Sequence, residues 1–149
     1  MMLQLDPNLV KDRLELTVPA FKRVGLSADL GRISARTLLY PSAFVVLLGE
    51  RSGENRYFSE DLIEQDVTAR IGVIMAVRDI GDTTGALAGT HLKPLREAVL
   101  LSLCRFVPDP GGQAFRFDKG ALQSGIDAHG GLFWQDDYTL RFDRRIQIT

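Results

Sequence analysis

Cysteine and histidine are nearly absent. The 149 residues include one Cys, Cys104, and two His, His91 and His129. A lone Cys closes no internal disulfide, so a reducing compartment is expected. No Cys or His pair has zinc-site spacing, and no metal centre is expected from them. Net charge is lacking too: 18 Lys and Arg face 19 Asp and Glu, for −1 overall. A chain so balanced has no general pull toward nucleic acid or an anionic membrane. Long apolar runs are missing, and the longest, such as "AFVVLLG", are far too short to span a bilayer. The start, "MMLQLDPNLVKDRLEL", has no basic segment ahead of an apolar block, so no signal peptide is expected. These absences together describe a soluble protein made in the cytoplasm.

Signatures of catalysis are also missing. There is no Gly-x-Ser-x-Gly elbow for a nucleophilic serine. Cys104 lies between Leu103 and Arg105, near an apolar helical stripe, and is expected to be a buried structural thiol. "GERSGENR" has no Gly-Lys-Ser/Thr behind it. "GDTTGALAG" spaces Gly81, Gly85 and Gly89 four apart at a strand-to-helix junction, but without the Lys of a phosphate loop. A helix start can bind anions, yet a flexible connection into a small-residue helix explains this stretch as well. No cofactor is implied.

What is present suits one domain over residues 1–149. Hydrophobic residues make up 45%, enough for a core, and no repeat, low-complexity tract or linker interrupts the chain. Arg outnumbers Lys, and its planar fork suits pairing with carboxylates across interfaces.

The first helix is expected from Asp6 as N-cap and Pro7 at the first helical position, with Leu9, Val10, Leu14 and Val18 on one face and Pro19 ending it. A short strand around Phe21 to Val24 follows, then a short helix starting near Ser27 or Ala28. "SAFVVLLGE" reads as a buried strand. "RSGENRYFSED" reads as a loop whose tip, Arg51 to Arg56, projects into solvent or onto a partner.

The long strand is the clearest element. Val67, Ala69, Ile71, Val73, Met75 and Val77 alternate on one face, with Thr68, Arg70, Gly72, Ile74, Ala76 and Arg78 opposite. The second face is polar at its ends and apolar in its middle, so half of it should be covered. The strand is long enough to overhang its sheet or bend. In the next helix Leu92, Leu95, Val99, Leu103 and Phe106 form the packing stripe, capped by Asp82, Thr83 or Thr84. Pro94 marks a kink or the start of the packed part.

The end of the chain reads as two extended segments around a hairpin loop, Asp127 to Gly131. Leu132, Trp134, Asp136, Tyr138, Leu140 and Phe142 take one face; Phe133, Gln135, Asp137, Thr139, Arg141 and Asp143 take the other. Asp136 and Asp137 therefore point apart and cannot converge as an acid and base pair. They are expected as partly exposed surface or interface groups, one of them beside Arg141 or Arg144. Trp134 or Phe133 should anchor the core against the long helix. The sum is an α+β domain: a mostly antiparallel sheet flanked by helices, with the helices on one face.

Several stretches are also familiar. "AFVVLLGERSGENR", "VTARIGVIMAVRDIGDTTGA" running into "LKPLREAVLLSL", and "GGLFWQDDYTLRF" resemble the tail terminator, or tail completion, proteins of long-tailed bacteriophages. The resemblance covers roughly Pro19 to Phe142 and rests on structural stretches, none of them catalytic. It implies a virion protein and not an enzyme. Such proteins form a ring, usually hexameric, at the head-proximal end of the tail tube. The ring ends tube polymerisation and offers a docking surface to head-completion proteins, and DNA passes its lumen without specific recognition. Assembly in the host cytoplasm and residence at the tail–neck junction follow. On that reading the subunit or tube contacts are expected at Glu50, Arg51, Glu54, Asn55 and Arg56 of the loop, at Arg70 and Arg78 of the long strand, and at Arg141, Arg144 and Arg145. Two alternatives stand beside it. One is another neck or head–tail connector protein. The other is a small nucleotide- or metal-binding enzyme using Asp136, His129 or the Gly81 to Gly89 turn.

Overall fold

A computed structural model of the chain describes residues 2–31, 38–57, 60–78, 86–124 and 131–148. The elements run α1 (Pro7–Thr17), β1 (Arg23–Leu26), α2 (Ser27–Leu30), β2 (Ser42–Ser52), β3 (Leu62–Arg78), α3 (Ala86–Cys104), β4 (Arg116–Ser124) and β5 (Gly131–Gln147). The strands form one sheet in the order β1-β2-β3-β5-β4. β1 lies parallel to β2, and the other pairings are antiparallel, which makes the sheet mixed.

Helix α1 starts as its sequence dictates. The Asp6 carboxylate accepts from the Asn8 backbone N–H at 2.9 Å, and Pro7 opens the first turn. Val10, Leu14 and Val18 bury one face. Leu9 is exposed instead of joining them, because the packing stripe repeats every four residues from Val10 and Leu9 falls to its side. Strand β1 begins two residues later than expected. Phe21 is buried ahead of the strand, on the connection from α1.

β3 keeps its expected alternation. Val67, Ala69, Ile71, Val73, Met75 and Val77 are all buried in the main core, with Val10 and Leu14 of α1, its C-cap Val18, and Leu92, Leu95, Val99 and Leu103 of α3. On the opposite face Leu38, Phe44 and Ala76 form a second, smaller cluster with Leu30, Tyr40, Ile74 and Phe133. That cluster covers half of the second face, as the apolar middle of β3 predicts. It also corrects the expectation of helices on one face, since Leu30 of α2 packs on the side away from α1 and α3. The sheet does not leave β3 overhanging. β5 pairs with it over its full length, from Leu62 beside Gln147 to Arg78 beside Gly131.

β2 is less buried than its apolar run suggests. Ser42 to Val45 are buried, but Leu47 and Leu48 are exposed. Leu47 stands opposite the buried Ile71 but borders an open pocket at the start of α1 with Leu5 and Pro7, and the register slips between Leu47 and Gly49, which leaves Leu48 unpaired. In α3 the helix continues through Pro94. Ala88 and Leu92, upstream of Pro94, are already buried, so the packed part begins before the proline. Phe106 lies beyond the helix end and stacks on Phe115, ring centroids 6.1 Å apart. Cys104 is exposed, against expectation. Leu103 takes the buried position one turn after Val99, and the next residue turns outward. The expected caps Asp82, Thr83 and Thr84, the hairpin residues 127–130, and Gly81, Gly85 and His129 lie outside the described residues.

Candidate assembly surface

The end of the sheet away from the helices is an arm built from the ends of β2, β3 and β5. Its loop is fastened by one side chain. Asn55 Oδ1 accepts the backbone N–H groups of Tyr57 at 3.1 Å and Glu64 at 2.9 Å, while its Nδ2 donates to the Leu62 carbonyl at 3.2 Å. The Arg56 backbone N–H bonds the Glu64 carbonyl at 2.9 Å, and the Gly53 N–H bonds the Asp66 carbonyl at 2.8 Å. The loop thus folds back on β3.

Charged side chains lace the same region together. The Arg56 guanidinium donates to Glu64 and to Asp143, each at 2.9 Å, and also to Asp66. Arg141 donates to Asp66 from the neighbouring strand. Arg144 donates to Glu50 at 2.9 Å and to the Leu3 carbonyl at 3.0 Å, which ties the N-terminal segment to β2 and β5. Exposed pairs of this kind contribute about 0–1 kcal/mol each. Their main effect is on shape: two cations among three carboxylates hold loop, β3 and β5 in one arrangement.

The expected interface residues therefore fall into groups. Glu50, Asn55, Arg56, Arg141 and Arg144 are tied up inside the chain. Arg70 sits 3.7 Å from Asp137 and 3.9 Å from Asp118. Arg78 lies at the other end of β3, its guanidinium 4.6 Å from the centre of the Tyr40 ring. Arg51, Glu54 and Arg145 are exposed on the arm and pair with no charge among the described residues.

Sequence reasoning missed a buried polar centre behind the arm. Asp136 is 1% exposed and Asp137 5%, so neither is the surface group expected of them, and neither pairs with Arg141 or Arg144. They do point to opposite faces. Asp137 accepts from the Gln135 side-chain amide at 2.7 Å. Asp136 faces α3 and accepts three bonds: Arg96 Nε at 2.9 Å, Arg96 Nη2 at 3.0 Å and Trp134 Nε1 at 2.8 Å. The guanidinium also lies 4.7 Å from the Trp134 ring centre. The bonds to Asp136 hold the Arg96 proton more tightly than usual. The neighbouring Tyr138 is raised well above the ordinary phenol range, first by burial and then by the Asp136 charge. A carboxylate so fully occupied by donors serves as a structural anchor. One signal could have found it: Asp136 shares the alternation of Trp134, Tyr138 and Leu140, so it stands on the core face and needs a buried partner.

Among the described residues no group of three His, Cys, Asp or Glu comes together to hold a metal ion. No described helix is long and apolar enough to cross a membrane. Compared with known proteins, the chain matches no curated protein. The family profile described as phage tail terminator protein matches residues 1–149, the whole chain. That family is one of structural virion proteins with a role in tail completion, which accords with a fold whose buried acids serve as anchors. The chain belongs to the phage tail terminator family.

Proposed function

We propose that this protein assembles into a ring, hexameric by resemblance to its family, that caps the head-proximal end of the tail tube. The capped tube stops growing, and the outer face of the ring becomes the docking surface for head-completion proteins. The observation that carries this reading is the family match over the whole chain. The sheet supports it in two ways. Its outer strands β1 and β4 leave unlike edges on opposite sides, which suits head-to-tail contacts that close a ring. Its arm extends past the helices and offers Arg51, Glu54 and Arg145 to a neighbour or to the tube. Arg70 in the middle of β3 and Arg78 at its far end complete the contact set, while Glu50, Asn55, Arg56, Arg141 and Arg144 give the arm its shape. Termination is then exclusion: a bound ring covers the surface on which the next tube ring would add. DNA passes the lumen without base-specific contact. Assembly takes place in the host cytoplasm.

Electron microscopy of particles made without this gene tests the proposal. Overlong, headless tails are the expected outcome. Tails of normal length with unjoined heads would instead assign the protein to the head–tail connector. Normal infectious particles would remove it from the neck.

A further inference from the structure

A cavity of about 280 Å³ opens on the helix side of the sheet. Leu100 of α3, Phe117 of β4 and Tyr138 of β5 give it apolar walls, and the Arg96–Asp136 pair borders it. Benzene already fits an apolar cavity of about 150 Å³, so an aromatic ring has room here. Two properties describe what belongs inside. One is an unsatisfied hydroxyl. Tyr138 is 0% exposed, and its hydroxyl meets no hydrogen-bond partner among the described residues. A buried group left so is costly, and an occupant that brings a donor or acceptor removes the cost. The other is a balanced rim. Lys93 and Glu97 are exposed, one turn apart on α3, and pair with no charge among the described residues. The cavity thus suits an apolar group that carries a hydrogen-bonding atom and is flanked by one acid and one base.

The chain carries such a group at the tip of its arm. Among the described residues the exposed aromatic side chains are Tyr57 and Phe117, and Phe117 belongs to the cavity itself. Tyr57, 42% exposed, is the exposed apolar side chain that has a hydroxyl. Arg51 and Glu54 stand on the same loop, one base and one acid, and pair with no charge among the described residues. The Tyr57 backbone is already fixed, because its N–H donates to Asn55 Oδ1 at 3.1 Å. Little order remains to be lost on binding. The ring cannot reach the cavity of its own chain. The Arg56–Glu64 backbone bond sets the loop level with Glu64, while Tyr138 stands opposite Ile71. From Glu64 to Ile71 the strand runs about 23 Å, well beyond the length of a tyrosine side chain.

We infer that Tyr57 of one copy enters this cavity on a second copy of the chain. Its ring packs on Leu100 and Phe117. Its hydroxyl pairs with that of Tyr138 as the exposed Phe117 ring moves aside. Glu54 faces Lys93, and Arg51 faces Glu97. Knob and cavity lie on different parts of the surface, so the contact is head to tail and repeats from copy to copy until the ring closes. The inference rests on the proposed self-assembly and gives it a named joint: the arm tip is received by the neighbour and not by the tube.

The test mixes two variants of the full chain. Tyr57→Ala removes the knob and keeps the cavity. Leu100→Glu, at an exposed helix position, blocks the cavity and keeps the knob. In sedimentation each variant alone should need at least about tenfold higher concentration than the wild type to associate. Their mixture should stop at a dimer of one of each, since a single intact joint cannot propagate. Tyr57→Phe and Tyr138→Phe should each weaken association about threefold, and together no more than either alone, because both remove the same hydrogen bond. Assembly that survives Leu100→Glu overturns the inference and leaves ring formation standing. Assembly that survives Tyr57→Ala but not Leu100→Glu overturns it and gives the cavity to another occupant. A mixture that stays monomeric, or grows past the dimer, also overturns it. Should the wild type itself stay monomeric, or Leu100→Glu fail to fold, amide and side-chain chemical shifts of the wild type decide. The probe is the peptide Arg-Ser-Gly-Glu-Asn-Arg-Tyr. Changes at Leu100, Phe117 and Tyr138, absent with the same peptide ending in alanine, support the joint, and no such changes overturn it.

Discussion

Arg96 of α3 and Asp136 of β5 grip each other through two parallel hydrogen bonds, of 2.9 and 3.0 Å, across the face of the sheet. The carboxylate is almost wholly buried and the guanidinium about a third exposed, with side-chain exposures of 2% and 36%. Removing the cation strands a buried charge, whereas removing both partners together does not. Arg96→Ala should therefore destabilise the fold by about 2–3 kcal/mol in urea denaturation. Asp136→Asn in the same background should recover part of that loss. An additive double-variant cycle would show that the pair does not couple.

Gly120 lies over the same pair. A Cβ there would come within 2.3 Å of Asp136 Oδ1 and 3.1 Å of Arg96 Nη2. Gly120→Ala must push the carboxylate out of its bonds and should cost about 1–3 kcal/mol. Gly89 is the control: it lies within α3, and nothing stands within 4 Å of an added Cβ. Gly89→Ala should raise stability by about 0.5–1 kcal/mol through helix propensity. Thermal melts of the two variants, moving in opposite directions, check both.

Tyr138 makes alkaline stability a local property. Burial raises its proton affinity in the folded state, so the folded and unfolded chains bind this proton equally below the unfolded pKa of about 10. Above that pH the unfolded chain releases the proton first, and stability falls as pH continues to rise toward the folded value. Tyr138→Phe should flatten this alkaline decline and leave neutral-pH stability unchanged or higher. Urea midpoints measured across the alkaline range test it, and an identical slope in wild type and variant would count against the assignment.

The arm should loosen without global unfolding. Arg56→Ala removes the hub joining Glu64, Asp66 and Asp143, at a cost of about 1 kcal/mol or less to overall stability because these side chains are exposed. Hydrogen exchange at the Gly53 and Arg56 amides should nevertheless accelerate, since their bonds to Asp66 and Glu64 close the loop. Added salt should produce a weaker version of the same change in the wild type.

The legible parts of the fold are those in which one physical rule acts alone. β3 and β5 follow the two-residue period, and every apolar position assigned to the core face of β3 is buried. The Asp6–Pro7 start of α1 follows from capping. The failures come where a second effect intervenes. Leu47 and Leu48 lie in an apolar run, but Leu47 borders an open pocket at the start of α1 and Leu48 falls at a register slip, and neither feature is written in the run itself. Cys104 follows a buried Leu103, and one residue of helical rotation turns it out. Asp136 and Asp137 are separable by alternation, but the burial of Asp136 depends on Arg96, which arrives from α3 outside the local pattern, whereas Gln135, the partner of Asp137, stands two residues away on the same face. Among the expected interface residues, the charged character of the loop is plain in "GERSGENR". Its internal pairing is not, because it depends on the turn that brings Asp66 back over Arg56 and on Asp143, which lies 87 residues further along the chain.

The matched lengths of β3 and β5 have a mechanical meaning. They are paired residue for residue from Leu62 beside Gln147 to Arg78 beside Gly131, with no slip along the way, over about 55 Å at the usual rise per residue. This double beam is clamped by the helix-side core from Val67 to Val77, with the smaller cluster on the opposite face; only Leu62–Asp66 and its partner stretch Asp143–Gln147 extend as a cantilever ending in the laced loop. A load applied at Arg51 or Glu54 is therefore not absorbed at the tip. It bends the beam at the edge of the clamp, where the paired Val67 and Phe142 are packed, so a push on the arm is felt in the core.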